Sequence, residues 1–154
     1  MPVLAYNKRA NFDYEITDKF EAGIVLFGHE VKALKNKHVS LKGAFVSIQA
    51  EKKNHELFLK NTHISMYKKA SNLDNYDPER PRKLLLHKNQ IKRLIGKKKE
   101  QGLTLVPIKL YTKHNLIKLE FGIGKGKKKY DKRNSIKKRE LDRKVRTLTK
   151  EKYR

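Results

Sequence analysis

The stretch YEITDKFEAGIVL, Tyr14 to Leu26, alternates apolar and polar residues with period two. Tyr14, Ile16, Phe20, Ala22, Ile24 and Leu26 fall on one face, and only Asp18 interrupts it. A helix would scatter these positions around its circumference, whereas a pleated strand lines them up. The pattern predicts one long half-buried strand that needs neighbours on both edges. Gly23 inside it predicts a bulge or coil, the device that curves a sheet into a small barrel.

The rest of the chain supplies those neighbours. GAFVSIQA and ELFLKNTHI flank the turn-like EKKN at Glu51–Asn54 and predict a hairpin. LTLVPIKLY and LIKLEFGI flank TKHN; Ile117, Leu119, Phe121 and Ile123 alternate, and Pro107 calls for a bulge or an edge. GHEVKALKNK, Gly28 to Lys37, predicts a short helix. HKNQIKRLIGKKKEQG predicts another, with Ile91, Leu94 and Ile95 on one stripe and Gly102 as its C′ residue. Met66 to Lys83, with Pro78 and Pro81, predicts a long basic-edged loop. The expectation is a mainly β domain with short helices, antiparallel and closing as a small barrel, over residues 1–126.

After Gly126 the alternation stops. Residues 127–154 hold 14 Lys and Arg against 4 Asp and Glu, a net of +10, within a chain of net +23. The apolar residues beyond Ser135 are Ile136, Leu141, Val145, Leu148 and Tyr153; the steps 141, 145 and 148 are helical, but too few to bury a face against such self-repulsion. This tail is expected to be disordered in isolation and helical once phosphates neutralise it. A polyanionic partner is the economical explanation of the charge.

The chain has no cysteine, which removes disulfides, thiolate zinc sites and cysteine nucleophiles. MPVLAYNKRA lacks the apolar core of a signal peptide, and no apolar run reaches about 18 residues; the expected location is the cytoplasm, with no membrane partner. His29, His38, His55, His63, His87 and His114 show no ligand spacing, so neither a metal nor a cofactor is expected. GIGKGKK has the wrong glycine spacing for a phosphate-cradling loop and reads as a hinge carrying Lys125, Lys127 and Lys128. Glu30 reads as a surface residue or half of a salt bridge.

Two residues resist such plain readings. Glu21 lies on the face of its strand opposite the apolar row, an outward carboxylate in a very basic protein. Carboxylates accept hydrogen bonds from the amino groups of unpaired bases. In RPRKLLLHK, Leu84 and Leu86 would point inward on an extended chain, leaving Leu85 outward among cations, where it could pack on an unpaired base.

NKRA (7–10), FEAGIVL (20–26), EVKALK (30–35), RKLLLHK (82–88), GLTLVPIKLY (102–111) and KGKKKYDKR (125–133), in this order, resemble the tmRNA-binding small protein B (SmpB) family of bacterial trans-translation. The resemblance implies an oligonucleotide-binding (OB) barrel that binds the tRNA-like domain of tmRNA. Its RNA-contacting positions fall on Asn7, with Lys8 and Arg9 beside it, Glu21, Leu85 with Lys83, and Lys118. It further implies delivery to the A site of stalled ribosomes. There the tail, through Lys125, Lys127, Lys128, Tyr130, Asp131, Lys132 and Arg133 and then Leu141, Val145 and Leu148, meets small-subunit RNA at the decoding centre and empty mRNA channel.

Alanyl-tRNA synthetase and elongation factor Tu are implied as partners reached through tmRNA. Tyr130 occupies a position that is His or Tyr in the family. Leu141 stands where family tails often carry an aromatic or larger apolar residue. The role implied is that of an adaptor, not an enzyme; a structural ribosomal protein would share the charge, and a nuclease would need an acid/base or metal constellation.

Overall fold

A computed structural model describes residues 1–70, 74–99 and 102–153. The elements in order are β1 (Val3–Tyr6), α1 (Ala10–Asp13), β2 (Tyr14–Ile24), α2 (Gly28–Lys35), β3 (Val39–Ser40), β4 (Phe45–Glu51), β5 (Asn54–Lys60), β6 (His63–Ile64), β7 (Arg82–Leu85), α3 (Lys88–Lys98), β8 (Leu103–Lys113), β9 (Leu116–Gly126) and α4 (Lys129–Lys152). Seven strands form one antiparallel sheet in the order β1-β8-β9-β2-β7-β5-β4, and β3 pairs with β6 in a small second sheet.

The closed barrel expected above does not form. β1 and β4 are the two ends of the sheet and share no ladder. A cleft of about 910 Å3 opens beside these ends, lined by Tyr6–Arg9, Leu41–Ser47 and Thr104–Val106 among others. Alternation specifies which face of a strand is buried, not whether the last two edges meet. One face of the curved sheet, capped by α2 and α3, encloses the main core of Phe20, Leu57, Leu59, Leu84, Leu94, Leu110, Leu119 and Phe121 with their neighbours.

β2 is one long strand, as its pattern requires, but its bulge is not at Gly23. Ile16 pairs with Gly124 and Asp18 with Ile123, so Thr17 is the extra residue. One inserted residue flips every later side chain to the other face. Phe20 and Ala22 therefore enter the main core, while Tyr14 and Ile16 pack on the reverse face against Ala10, Val106 and Ile108. Asp18, the apparent interruption, lies on the core side and is paired with Lys97 at the end of α3. Gly122 makes this crossing possible, because a Cβ there would stand 2.5 Å from Ile16 Cγ2.

Pro107 sits at a second bulge: it pairs with Phe121 while Lys109 pairs with Glu120. The hairpin between β8 and β9 turns on His114 and Asn115, both with positive φ, a two-residue turn whose twist suits the strands. ELFLKNTHI is not one strand; Asn61, at φ 55°, breaks it into β5 and β6. The expected loop reaches only to Pro81, after which Arg82–Leu85 form β7 inside the sheet; residues 71–73 of that loop lie outside the described residues. α3 ends at Lys98, so Gly102 is not its C′ residue but a left-handed entry to β8 at φ 79°; Glu100 and Gln101 lie outside the described residues.

Glu30 is not at the surface; the salt-bridge reading holds, with two arginines, Arg80 and Arg82, as partners. It is completely buried, and it accepts hydrogen bonds from Arg80 (2.5 and 2.9 Å), Arg82 (2.8 and 3.0 Å), Tyr76 Oη (3.2 Å) and the Phe27 N–H (2.9 Å). Arg82, also fully buried, donates further to the carbonyls of Thr62 and Pro78. This cluster ties the start of α2 to the loop and to the first residue of β7.

The C-terminal segment carries the helical form of the tail: α4 runs over 24 residues and buries none of them. Among the described residues, no helix is long and apolar enough to cross a membrane.

Candidate nucleic-acid interface

Gly23 is where three of the singled-out residues meet. It pairs with Leu85 on β7 and with Lys118 on β9, and Glu21 stands two residues along the same outward face. β7 alternates as its sequence requires: Arg82 and Leu84 are buried, Lys83 and Leu85 point out, and Leu85 is 53 % exposed. A Cβ on Gly23 would lie 3.3 Å from the Leu85 Cβ, so the glycine leaves room for the leucine to stand in the surface. Together with Ile24, His87, Gln90 and Leu116 these residues line a cleft of about 590 Å3.

Around this cleft the outward face of the sheet is a lattice of charges. Glu21 lies directly across from Glu120, an unfavourable neighbour, and each carboxylate has its own partners. Lys109 (3.2 Å) and Lys19 (3.7 Å) serve Glu120. The Tyr111 hydroxyl and the Lys113 ammonium (3.3 Å) both donate to Glu21.

The Tyr111 hydrogen bond, helped by Lys113 and Lys118, holds the Glu21 carboxyl below its ordinary pKa against a smaller opposing effect of burial. Burial, then Glu21 and Glu120, push the Tyr111 hydroxyl up. At neutral pH the pair is therefore a carboxylate with a fixed neutral donor. An ionised carboxylate offers about four acceptor sites, so Glu21 keeps capacity for an incoming amino group. Nearby on β7, Lys83 reaches Glu56 at 2.5 Å.

The other expected contacts lie elsewhere. Asn7 N–H bonds to the Ile108 carbonyl (2.7 Å), its side-chain amide donates to the Pro107 carbonyl (2.9 Å), and its Oδ1 accepts from Arg9 N–H (3.2 Å). Asn7 thus braces the turn between β1 and α1 against β8, and the turn presents Lys8 and Arg9 to solvent. These three line the cleft at the sheet ends, which shares no residue with the Gly23 cleft.

Lys125 is the next-to-last residue of β9, opposite Glu15, Lys127 sits in the link, and Lys128 is the N-cap of α4. Tyr130, Asp131, Lys132 and Arg133 form the first turn and the start of the second. At 100° per residue, Tyr130, Leu141, Val145 and Leu148 fall on one stripe of the helix, and all four are exposed. Their expected stripe is real, with Tyr130 as an unforeseen fourth member.

Tyr111, Lys113 and Gly23 are parts of the site that motif reading missed. The alternation of Lys109, Tyr111 and Lys113 does mark an outward row, but their approach to Glu21 depends on the strand order β8-β9-β2, which no local pattern encodes. Among the described residues no group of three or more His, Asp or Glu could hold a metal ion.

The family model for the SmpB protein matches residues 4–151. The chain is 54 % identical over 146 residues to the SsrA-binding protein of Thermosipho africanus, covering 94 % of this chain and 95 % of the relative. It is 50 % identical over 143 residues to that of Geobacillus kaustophilus, covering 93 % and 89 %. A solved chain described under "tmRNA-SmpB: a journey to the center of the bacterial ribosome" superposes with a TM-score of 0.65 at 42 % identity, covering 88 % of this chain and 95 % of that one. With its open face, its basic charge and nearly its whole length accounted for in this way, the chain belongs to the SmpB family.

Proposed function

We propose that this chain is an RNA-binding adaptor of trans-translation that works without catalysis. Its sheet binds the tRNA-like domain of tmRNA and carries it to the A site of stalled ribosomes, while α4 probes the decoding centre and the empty mRNA channel. The observation that carries this reading is the convergence of Glu21, Leu85 and Lys118 around Gly23. An ionised acceptor, an exposed apolar knob and a cation within one cleft suit an unpaired base and its phosphate. Phosphate neutralisation by the surrounding lysines supplies affinity, and the carboxylate and leucine supply selection.

The tail works separately in this proposal. Lys125, Lys127 and Lys128 lead the chain to ribosomal RNA, Tyr130 stacks on a base, and Leu141, Val145 and Leu148 pack on the channel wall as the helix charge is neutralised. Domains 1–126 and 127–154 then divide the work. Alanyl-tRNA synthetase and elongation factor Tu are reached through tmRNA. Co-purifying bound RNA from cells and sequencing it tests this reading. One small stable RNA, retained after a high-salt wash that strips ribosomes, is the expected result; loss of that RNA with retention of whole ribosomes would favour a structural ribosomal protein.

A further inference from the structure

Three consecutive residues of the one-turn helix α1 all touch the tail. The Asn11 carbonyl accepts from Lys127 Nζ (2.8 Å), and the Asp13 carbonyl accepts from the Lys127 N–H (2.9 Å). The Asp13 carboxylate pairs with Lys132 (3.3 Å), and the Arg139 guanidinium lies over the Phe12 ring at 5.5 Å. Arg9 steadies the same carboxylate from the other side, at 3.8 Å. α1 in turn stands on the reverse face of the sheet, where Ala10 packs with Val106 and Ile108.

Lys132 and Arg139 are seven residues apart, two turns on one side of α4. On the same 100° count they lie about 120–180° from the members of the stripe, Tyr130, Leu141, Val145 and Leu148. The contacts with α1 therefore set two things at once, the direction in which α4 leaves the sheet and its rotation about its own axis. With this rotation the apolar stripe points away from the body.

We infer that α1 is a mount for the tail helix and that Asp13 is its positioning residue, holding α4 so that the Tyr130–Leu148 stripe meets a partner first. The inference rests on the proposed role of the tail. A link ending in Gly126, Lys127 and Lys128 would otherwise leave the helix free to point anywhere. Asp13 is the group through which the mount acts, because it takes both the ion pair from Lys132 and the main-chain bond from Lys127. Each contact is partly exposed, and a surface pair of this kind shifts an equilibrium by roughly two- to fivefold. The mount thus biases the helix and still lets a stronger partner re-aim it.

The chain has no cysteine, so a label pair can be introduced cleanly. Gln49→Cys and Thr147→Cys in the full-length protein, spin-labelled, report the distance from sheet to tail by pulsed electron resonance. The parent should give one dominant distance at low salt. Asp13→Lys should broaden and shift it, and Asp13→Lys with Lys132→Asp should restore the dominant peak. An unchanged distribution in Asp13→Lys, or no restoration in the double swap, overturns the mount.

The consequence for function is read in the full-length Asp13→Lys protein alone. Binding of tmRNA should be no weaker than the parent's, while tagging on stalled ribosomes falls about two- to fivefold. Normal tagging despite a shifted distance overturns the positioning role and leaves the proposed function standing. A parent protein that neither binds tmRNA nor supports tagging refutes the proposed function, and the distance measurement still decides the mount.

Discussion

Replacing Glu30 by alanine tests whether the buried ionic cluster holds β7 in place. Glu30 accepts six hydrogen bonds from Arg80, Arg82, Tyr76 and the Phe27 backbone. Without it, Arg82 stays fully buried with no counter-charge and with Arg80 as a like-charged neighbour. Breaking a buried pair by removing one partner costs about 3–5 kcal/mol, a large part of the roughly 5–15 kcal/mol that a domain has in total. With a urea m-value of about 2 kcal/mol per molar, the midpoint should fall by about 2 M.

Acid should distinguish the two proteins as well. Burial by itself would raise the Glu30 pKa, but the hydrogen bond from Arg80, the Phe27 N–H and the charge of Arg82 outweigh it and leave the carboxyl below its ordinary value of 4.5. A depressed folded-state pKa gives stability that is present above the ordinary value and lost as pH falls through the folded one. The parent should therefore lose this contribution on acidification below about pH 4.5, and Glu30→Ala should show a shallower decline there. A destabilisation under about 1 kcal/mol at pH 7, where a buried charge should cost several times more, would refute the reasoning.

Glu21→Ala removes an anion from a basic protein, and Coulomb attraction alone would then tighten RNA binding. Lost base acceptance should instead weaken tmRNA binding by about 1–3 kcal/mol, with unrelated RNA bound equally or more tightly in parallel titrations. Gly122→Ala drives a methyl group to within 2.5 Å of Ile16 Cγ2 and should cost about 1–3 kcal/mol in denaturant unfolding. Val145→Pro leaves the tail's charge untouched but breaks the helix at a cost of about 3 kcal/mol; tagging should fail with tmRNA binding intact, whereas full tagging would reduce the tail to a polycation.

Local periodicity carried much of this fold. The runs at 14–26 and 116–123 read as strands because each alternates, and 103–111 because it is an apolar run set against a turn; the stripe of Ile91, Leu94 and Ile95 marks the helix that forms over 88–98. The Thr17 bulge was hidden for a physical reason: it leaves the written alternation unbroken while reversing the faces in space, so only Asp18 betrayed it. Closure of the sheet depends on distant edges, and no residue in β1 or β4 encodes it. Glu30 draws its partners from about fifty residues away, across a loop whose composition looked only basic. Glu21 and Leu85 were each conspicuous by chemistry, but their meeting at Gly23 follows from a register set by β7, a four-residue strand.

The central claim is that the sheet binds tmRNA and that the tail does separate work on the ribosome. A chain ending at Gly126 keeps every strand and both core clusters, and the net +13 of residues 1–126 remains to meet phosphates. Binding of this shortened protein to tmRNA, measured beside tagging of a stalled nascent chain, tests the claim most directly. Near-parental tmRNA affinity with tagging abolished is the predicted result. Loss of tmRNA binding on truncation would make the tail the main RNA-binding element and contradict the account.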